Sequence, residues 1–172
     1  GRELAGVLEG QVWAVLLGSQ VQALAQAAIQ LGADRVLLAD HPELADYRTL
    51  PYTRVISGLV ERFQPEIFLV GATPVGRDLA PRLASALKVG LTADCTDLQI
   101  GDYTIKKENR TVRNLLYQIR PAFGGNLIAT IVNPNTRPQM ATVRPGVMRR
   151  TEPDPARSGV VEAVEVALEP SD

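Results

Sequence analysis

An α/β fold with a parallel sheet is predicted for this 172-residue chain by three observations. Short continuous apolar runs that end in Gly or Asp recur through the first half of the chain. Stretches of helical period lie between them. Beyond residue 90 that period gives way to short strand-like runs separated by turn formers. Apolar runs too short for a helix, alternating with helices, are the pattern of strands buried on both faces and joined by right-handed crossovers.

The first strands are read at residues 12–18, 35–40 and 66–71, where VWAVLLG, RVLLAD and EIFLVG each close on a turn former. Between the first two, residues 21–31 place Val21, Leu24, Ala25, Ala28 and Leu31 on one helical face, with Gly32 as the stop. A second helix is expected over 52–63, with Pro51 near its start and Val55, Ile56, Leu59 and Phe63 aligned. A third begins near Gly76 and turns Leu79, Leu83 and Leu87 inward, with Pro81 a kink point if it falls past the first turn.

Residues 93–100, 103–107, 112–119, 127–132 and 139–143 then read as strands of an antiparallel extension that prolongs the parallel sheet. The expected whole is a Rossmann-like three-layer sandwich, its parallel sheet extended by antiparallel strands. Residues 1–150 form this domain, and 151–172 form a linker (TEPDPAR) with a terminal strand over 160–168. Residues 2–8 read as a helix with no strand before it, which suggests that the first, central strand of the sheet is missing from the sequence.

Composition bounds the function. With 45% apolar and 22% charged residues the chain is ordinary globular material, and a net charge of −1 gives no global pull toward nucleic acid or anionic lipid. Residues 101–120 carry Lys106, Lys107, Arg110, Arg113 and Arg120 against Asp102 and Glu108, a local charge of +3 whose plainest reading is a solvated hairpin face. No apolar stretch approaches the roughly 20 residues that cross a bilayer, and the start has no signal-like apolar region, so a cytoplasmic location is expected. Cys95 is the only cysteine and fits a reducing compartment. Flanked by Asp94 and Asp97 with no cation near in sequence, it reads as a small buried residue. A single histidine, His41, cannot build a multi-histidine metal site.

The polar motifs offer little catalytic machinery. Gly71 and Gly76 bracket a strand-to-helix junction, but the Lys-Ser/Thr of a phosphate loop and the G-x-G-x-x-G of a dinucleotide fold are absent, so helix capping by Thr73 or one of its neighbours outweighs phosphate binding. Asp78 is placed in the first turn of that helix, with Arg82 four residues on as its partner. Asp94 and Asp97 stand three apart in an expected strand and face opposite ways unless a bulge intervenes, each solvated or paired with an arginine. No serine has a histidine near it and no lysine sits in an apolar run.

The most informative stretches are RPAFGGN at 120–126 and RPQMATVRPG at 137–146. Arg120-Pro121 and Arg144-Pro145 each set a planar cation beside a residue of locked φ, with glycine soon after. Together with GATPVGRDLAPRLA at 71–84 and LTADCT at 91–96, these motifs, in this order, resemble the N-terminal domain of the electron-transfer flavoprotein α subunit over about residues 10–148.

The resemblance implies an electron carrier without side-chain catalysis, docked on a β subunit in a heterodimer that passes electrons between flavin dehydrogenases and an acceptor. It implies FAD in the full heterodimer, held by a second domain following residue 172 and not by this stretch, and AMP or a second FAD in the β subunit. It places Arg120, Pro121, Phe123, Gly124, Asn126 and Arg144 toward that β-subunit nucleotide, with Arg120 the leading contact. Residues 101–113 are longer than the family's usual turn. A pure assembly module, with Arg120 touching no flavin, is the blander form of this reading. The alternative is a free-standing nucleotide-binding protein of the universal-stress type, which shares the α/β layer but places phosphate-holding glycines near its last strand; retention of ATP by the chain distinguishes it.

Overall fold

The computed structural model describes residues 1–122 and 127–168. The chain divides into two compact units, Gly1–Leu59 with Arg150–Asp172, and Val60–Arg149.

In the first unit, helix α1 (Arg2–Val7) leads to strand β1 (Trp13–Gly18), helix α2 (Ala25–Gln30) and strand β2 (Arg35–Asp40). The helical face read over 21–31 is divided: a 3₁₀ turn at Gln22–Leu24 precedes α2, with Ala25 and Ile29 turned inward. Helix α3 (Thr49–Phe63) starts before Pro51, which falls in the first turn, where its missing N–H has no partner to lose. β1 pairs parallel with β2, and β2 with β9 (Val160–Ala163), giving the order β1-β2-β9. Central β2 is buried from Val36 to Ala39, and the packing of Ala25, Ile29, Ala33 and Val36 joins α2 to it.

Residues 151–159, of linker composition, are tied down at one carboxylate. Asp34 accepts the Val12 N–H at 2.8 Å, pairs with Arg2 at 2.8 Å and pairs with Arg157. Asp154 N–H donates to the Gln30 carbonyl and Val160 N–H to the Asp34 carbonyl, and β9 follows in register. Glu162 on β9 pairs with Arg35, whose guanidinium also lies 4.5 Å from the Trp13 ring centre.

In the second unit, β3 (Ile67–Gly71), helix α4 (Pro74–Leu87) and β4 (Leu91–Cys95) precede β5 (Asp97–Ile105), β6 (Arg110–Pro121), β7 (Ile128–Ile131) and β8 (Gln139–Val143). β8 lies between β3 and β4 and is parallel to both, which corrects its reading as part of the antiparallel run. Its turn formers misled: Asn133-Pro134-Asn135 reads as a hairpin, yet the loop returns the chain to the parallel sheet. The strand expected at 93–100 is two strands with Thr96 between them, β4 parallel and β5 antiparallel. β5, β6 and β7 form an antiparallel meander. The fold is of the expected α/β, Rossmann-like class, with parallel sheets on which α2 and α4 pack, while β5, β6 and β7 pair as a sheet of their own and do not prolong the parallel one.

The core of this unit includes Leu79, Ala80, Leu83, Leu115, Leu116, Met140 and Ala141, and it holds two buried glutamines. Gln139 Oε1 accepts the Leu116 N–H at 2.8 Å, supplying that buried donor with a partner from β8. Helix α4 runs through Pro81, which lacks the N–H that the Arg77 carbonyl would otherwise receive.

At the 71–76 junction the glycine spacing serves packing. A Cβ on Gly76 would stand 1.8 Å from the Gly71 carbonyl oxygen, so the first turn of α4 sits against the end of β3 as no other residue permits. Thr73 caps the helix by accepting the Gly76 N–H at 3.1 Å, as expected, whereas Asp78 lies beyond the first turn.

Two glycine substitutions are therefore expected to act in opposite directions. Gly76→Ala forces that clash and costs about 2 kcal/mol or more. Gly58→Ala, in the exposed interior of α3 with open space around the new methyl, adds about 0.5–1 kcal/mol of stability. Urea unfolding midpoints check both; equal midpoints would contradict the packing account.

Candidate functional site

The polar centre of the second unit forms at the C-terminal ends of β4 and β8. Leu91 and Thr92 pair with Met140 and Ala141, but the next partner of Val143 is Cys95, so three steps along β4 match two along β8. The additional residue makes a bulge, and within it Asp94 takes the left-handed conformation, φ 63°. Aspartate is among the few residues with a side chain that enter this region readily. The Asp94 N–H, turned away from the ladder, donates to the Thr142 hydroxyl at 2.8 Å. The Arg144 N–H donates to the Cys95 carbonyl, and the Ala72 N–H to the Val143 carbonyl. The end of β8 thus fixes the ends of both neighbouring strands.

This backbone gathers side chains far apart in sequence. Arg144 meets Asp94 side-on, its Nε 3.2 Å from each carboxylate oxygen and its Nη2 2.7 Å from Oδ2. Arg77, in the first turn of α4, donates through Nε to the Ala72 carbonyl at 2.9 Å and reaches Asp94 Oδ1 through Nη2 at 3.4 Å. Arg120, near the end of β6, is half-buried, and its Nε lies 3.4 Å from the Pro121 carbonyl. Its charge is near enough to act on both Asp94 and Cys95. Two guanidinium groups therefore contact one carboxylate, with the charge of Arg120 acting on it as well, beside a shallow cleft of about 200 Å³ lined by Arg77, Pro81, Leu91, Ala93, Asp94 and Thr142.

The ionisation states follow from the contacts. The Arg144 hydrogen bonds, then its charge and those of Arg77 and Arg120, hold the Asp94 carboxyl below its usual range against partial desolvation. The same pair raises Arg144 above the ordinary guanidinium value. Cys95 is fully buried, and burial pushes its thiol up despite Arg120, so it is a packed thiol and no nucleophile, as expected. The sequence shows no cation near Cys95; the fold supplies Arg120 from 25 positions away.

The sequence-predicted site residues are placed unevenly. Arg120 and Arg144 converge on the Asp94 region. Arg120 and Pro121 lie in β6 and not in a turn, with Pro121 opposite Ile128 on β7. The hairpin itself closes where expected, the Ala122 N–H donating to the Leu127 carbonyl at 2.8 Å. Phe123, Gly124 and Asn126 lie outside the described residues. Asp94 does pair with an arginine, but neither Arg77 nor Arg144 is legible as its partner from a distance of 17 or 50 positions. Asp97 stays local, accepting from the Leu98 N–H and from Gln99. His41 caps a short 3₁₀ turn through Nδ1. Among the described residues there is no group of three or more potential metal ligands, and no helix is long and apolar enough to cross a membrane.

Residues 1–169 match the family described as the electron transfer flavoprotein domain. The chain is 48% identical over 171 residues to the electron transfer flavoprotein subunit alpha of Thermoanaerobacterium thermosaccharolyticum, covering 99% of this chain and 49% of that protein. It is 45% identical over 160 residues to the subunit of the same name in Megasphaera elsdenii, covering 93% and 45%. It is 44% identical over 165 residues to the lactate dehydrogenase (NAD(+),ferredoxin) subunit LctC of Acetobacterium woodii, covering 96% and 37%. The chain spans about half the length of the first two relatives. These matches support the flavoprotein reading over the universal-stress one.

The depressed Asp94 carboxyl carries a pH prediction. A group whose acidity is increased by folding stabilises the folded state above its unfolded value, about 3.9, and loses that contribution as pH falls through its folded value. Asp94→Asn keeps a residue that tolerates φ 63° but removes the charge. The stability gap between wild type and Asp94→Asn is expected to be constant from pH 5 to 8 and to close below about pH 4. Denaturant titrations across this range check it; a gap that widens toward low pH would contradict the ion-pair geometry.

Proposed function

The chain belongs to the electron transfer flavoprotein family, and from that premise we propose that it is the β-docking domain of an α subunit, working in the cytoplasm in a heterodimer that carries electrons between flavin dehydrogenases and an acceptor. Its role is to present the Arg77, Arg120 and Arg144 cluster to a nucleotide held by the β subunit, either AMP or a second FAD. The observation that carries this reading is the surplus of guanidinium charge gathered around Asp94 at the ends of β4, β6 and β8.

The described residues do not enclose a flavin. The cleft beside Asp94 is smaller than the roughly 300–1,000 Å³ of sites that bury most of a ligand. What these residues fit is one wall of a shared site: planar cations suited to a phosphate or to the edge or face of an isoalloxazine ring. The main FAD of the heterodimer belongs to a second α domain. A flavin supplies the one- and two-electron chemistry when bound. This chain's residues bind and orient: Arg120 and Arg144 supply positive charge and Pro121 fixes the backbone beside Arg120, while Phe123, Gly124 and Asn126, outside the described residues, are further proposed contacts to the same nucleotide.

No side-chain catalysis is assigned. Asp94 is committed to arginines, Cys95 is kept protonated by burial, and His41 serves as a cap. Such groups support electrostatic and positional work and offer no proton shuttle.

Three outcomes test this reading. The isolated 172-residue chain is expected to be colourless after purification; stoichiometric flavin absorbance would contradict it. Mixed with its cognate β subunit at micromolar concentration, it is expected to co-elute in size exclusion, and separate elution would remove the docking role. In the complete heterodimer, Arg120→Ala is expected to weaken retention of the β-site nucleotide about tenfold, the value of a hydrogen bond to a charged group, and to lower the potential of a flavin held there. Arg113→Ala on the same strand controls for general loss of charge. Unchanged nucleotide content and potential in Arg120→Ala would make Arg120 structural.

A further inference from the structure

Asp94 has no part in binding under the reading above, yet the cluster is organised by it. Of the Arg144 guanidinium, Nε and Nη2 are spent on the Asp94 carboxylate, so the donors on Nη1 are held in one direction. Arg77 is fixed in the same manner, with Nε on the Ala72 carbonyl and Nη2 on Asp94. The carboxylate is itself held by the bulge: its residue adopts φ 63°, and its N–H is anchored on the buried Thr142 hydroxyl. An arginine left alone on a strand end would lose rotamer entropy on meeting a ligand; one already held by a carboxylate has lost most of it beforehand.

We propose that Asp94 is a positioning residue, which through its side-on contact with Arg144 and its longer contact with Arg77 pre-orients the two guanidinium groups toward a nucleotide held by the partner subunit. This rests on the reading of Arg144 given under Proposed function. Asp94 touches no nucleotide itself; as a carboxylate it would repel phosphate, and its effect is transmitted wholly through the arginines. The placement also explains why a negative charge sits inside a cationic site. It reduces mutual repulsion between the arginines while leaving Nη1 of Arg77 and of Arg144 uncommitted among the described residues.

The test uses the complete heterodimer with Asp94→Asn, Asp94→Glu, Arg144→Ala and the double variant Asp94→Asn/Arg144→Ala. Two quantities are read: protection of the Arg144 Nε–H by NMR exchange, and retention of AMP or FAD after gel filtration. Asp94→Asn is expected to abolish Nε–H protection and to reduce retention several-fold. Asp94→Glu, which restores the charge on a longer arm, is expected to recover most of the protection. In the Arg144→Ala background, Asp94→Asn is expected to add far less than it does alone, since its main route of action is gone. Full Nε–H protection in Asp94→Asn overturns the proposal, as does an undiminished Asp94→Asn effect on retention in the Arg144→Ala background. If protection is lost while Arg144→Ala itself leaves retention unchanged, the nucleotide contact proposed for Arg144 is what fails, and the positioning of Arg144 by Asp94 stands. Thermal unfolding of each variant separates these outcomes from misfolding.

Discussion

The parallel insertion of β8 between β3 and β4 is the constraint on which the second unit depends. It brings residues 139–143 into register with 67–71 on one side and with 91–95 on the other. Everything at the candidate site follows from where that strand ends. Its last residues accept the Ala72 N–H and deliver the Arg144 N–H to the Cys95 carbonyl, so the start of α4, the bulge of β4 and the Arg144 side chain are fixed by one strand end. That is the position, at the carboxyl ends of parallel strands, where α/β folds generally place ligand-facing groups. Here the groups gathered are arginines and one carboxylate, and the chemistry they offer is charge and orientation.

The bulge matters as much as the register. Without the additional residue, β4 would continue its alternation and Asp94 would hold an ordinary ladder position. With it, the Asp94 N–H leaves the ladder for the Thr142 hydroxyl, and its carboxylate is presented to Arg144 and Arg77. The next residue, Cys95, returns to the core and is fully buried. Two adjacent polar residues thus acquire opposite characters, one an ionised hub and the other an inert thiol, through the local backbone alone.

Much of the fold was legible in the sequence, since apolar runs and helical faces are local signals. β1, β2, β3 and α3 fall within three residues of where periodicity placed them. The errors occur where local signals are silent. Asn133-Pro134-Asn135 carries turn chemistry that is indifferent to whether the next strand returns antiparallel or crosses back, so the sequence alone does not distinguish the parallel placement of β8. The strand break at Thr96 was invisible because both flanking segments favour extended structure. At the site, the arginine content of the RP motifs was readable, and pairing with an arginine was one of the two readings open for Asp94. The identity of the partners was not, because Arg77, Arg120 and Arg144 are joined to Asp94 only by sheet topology. The Gly71–Gly76 spacing illustrates the reverse case: it resembles a ligand loop, and the 1.8 Å approach to the Gly71 carbonyl shows it to be a packing requirement.

On the proposed function, the arginines at the ends of β6 and β8 face a nucleotide held by the partner subunit. A crystal structure of the complete heterodimer measures this most directly, through the distance from the Arg120 and Arg144 guanidinium groups to the nearest phosphate or ring atom of that nucleotide. Hydrogen-bond or stacking range, about 3–4 Å, is expected. Guanidinium groups separated from the nucleotide by more than about 10 Å, beyond a Debye length at 0.1 M salt, would contradict it.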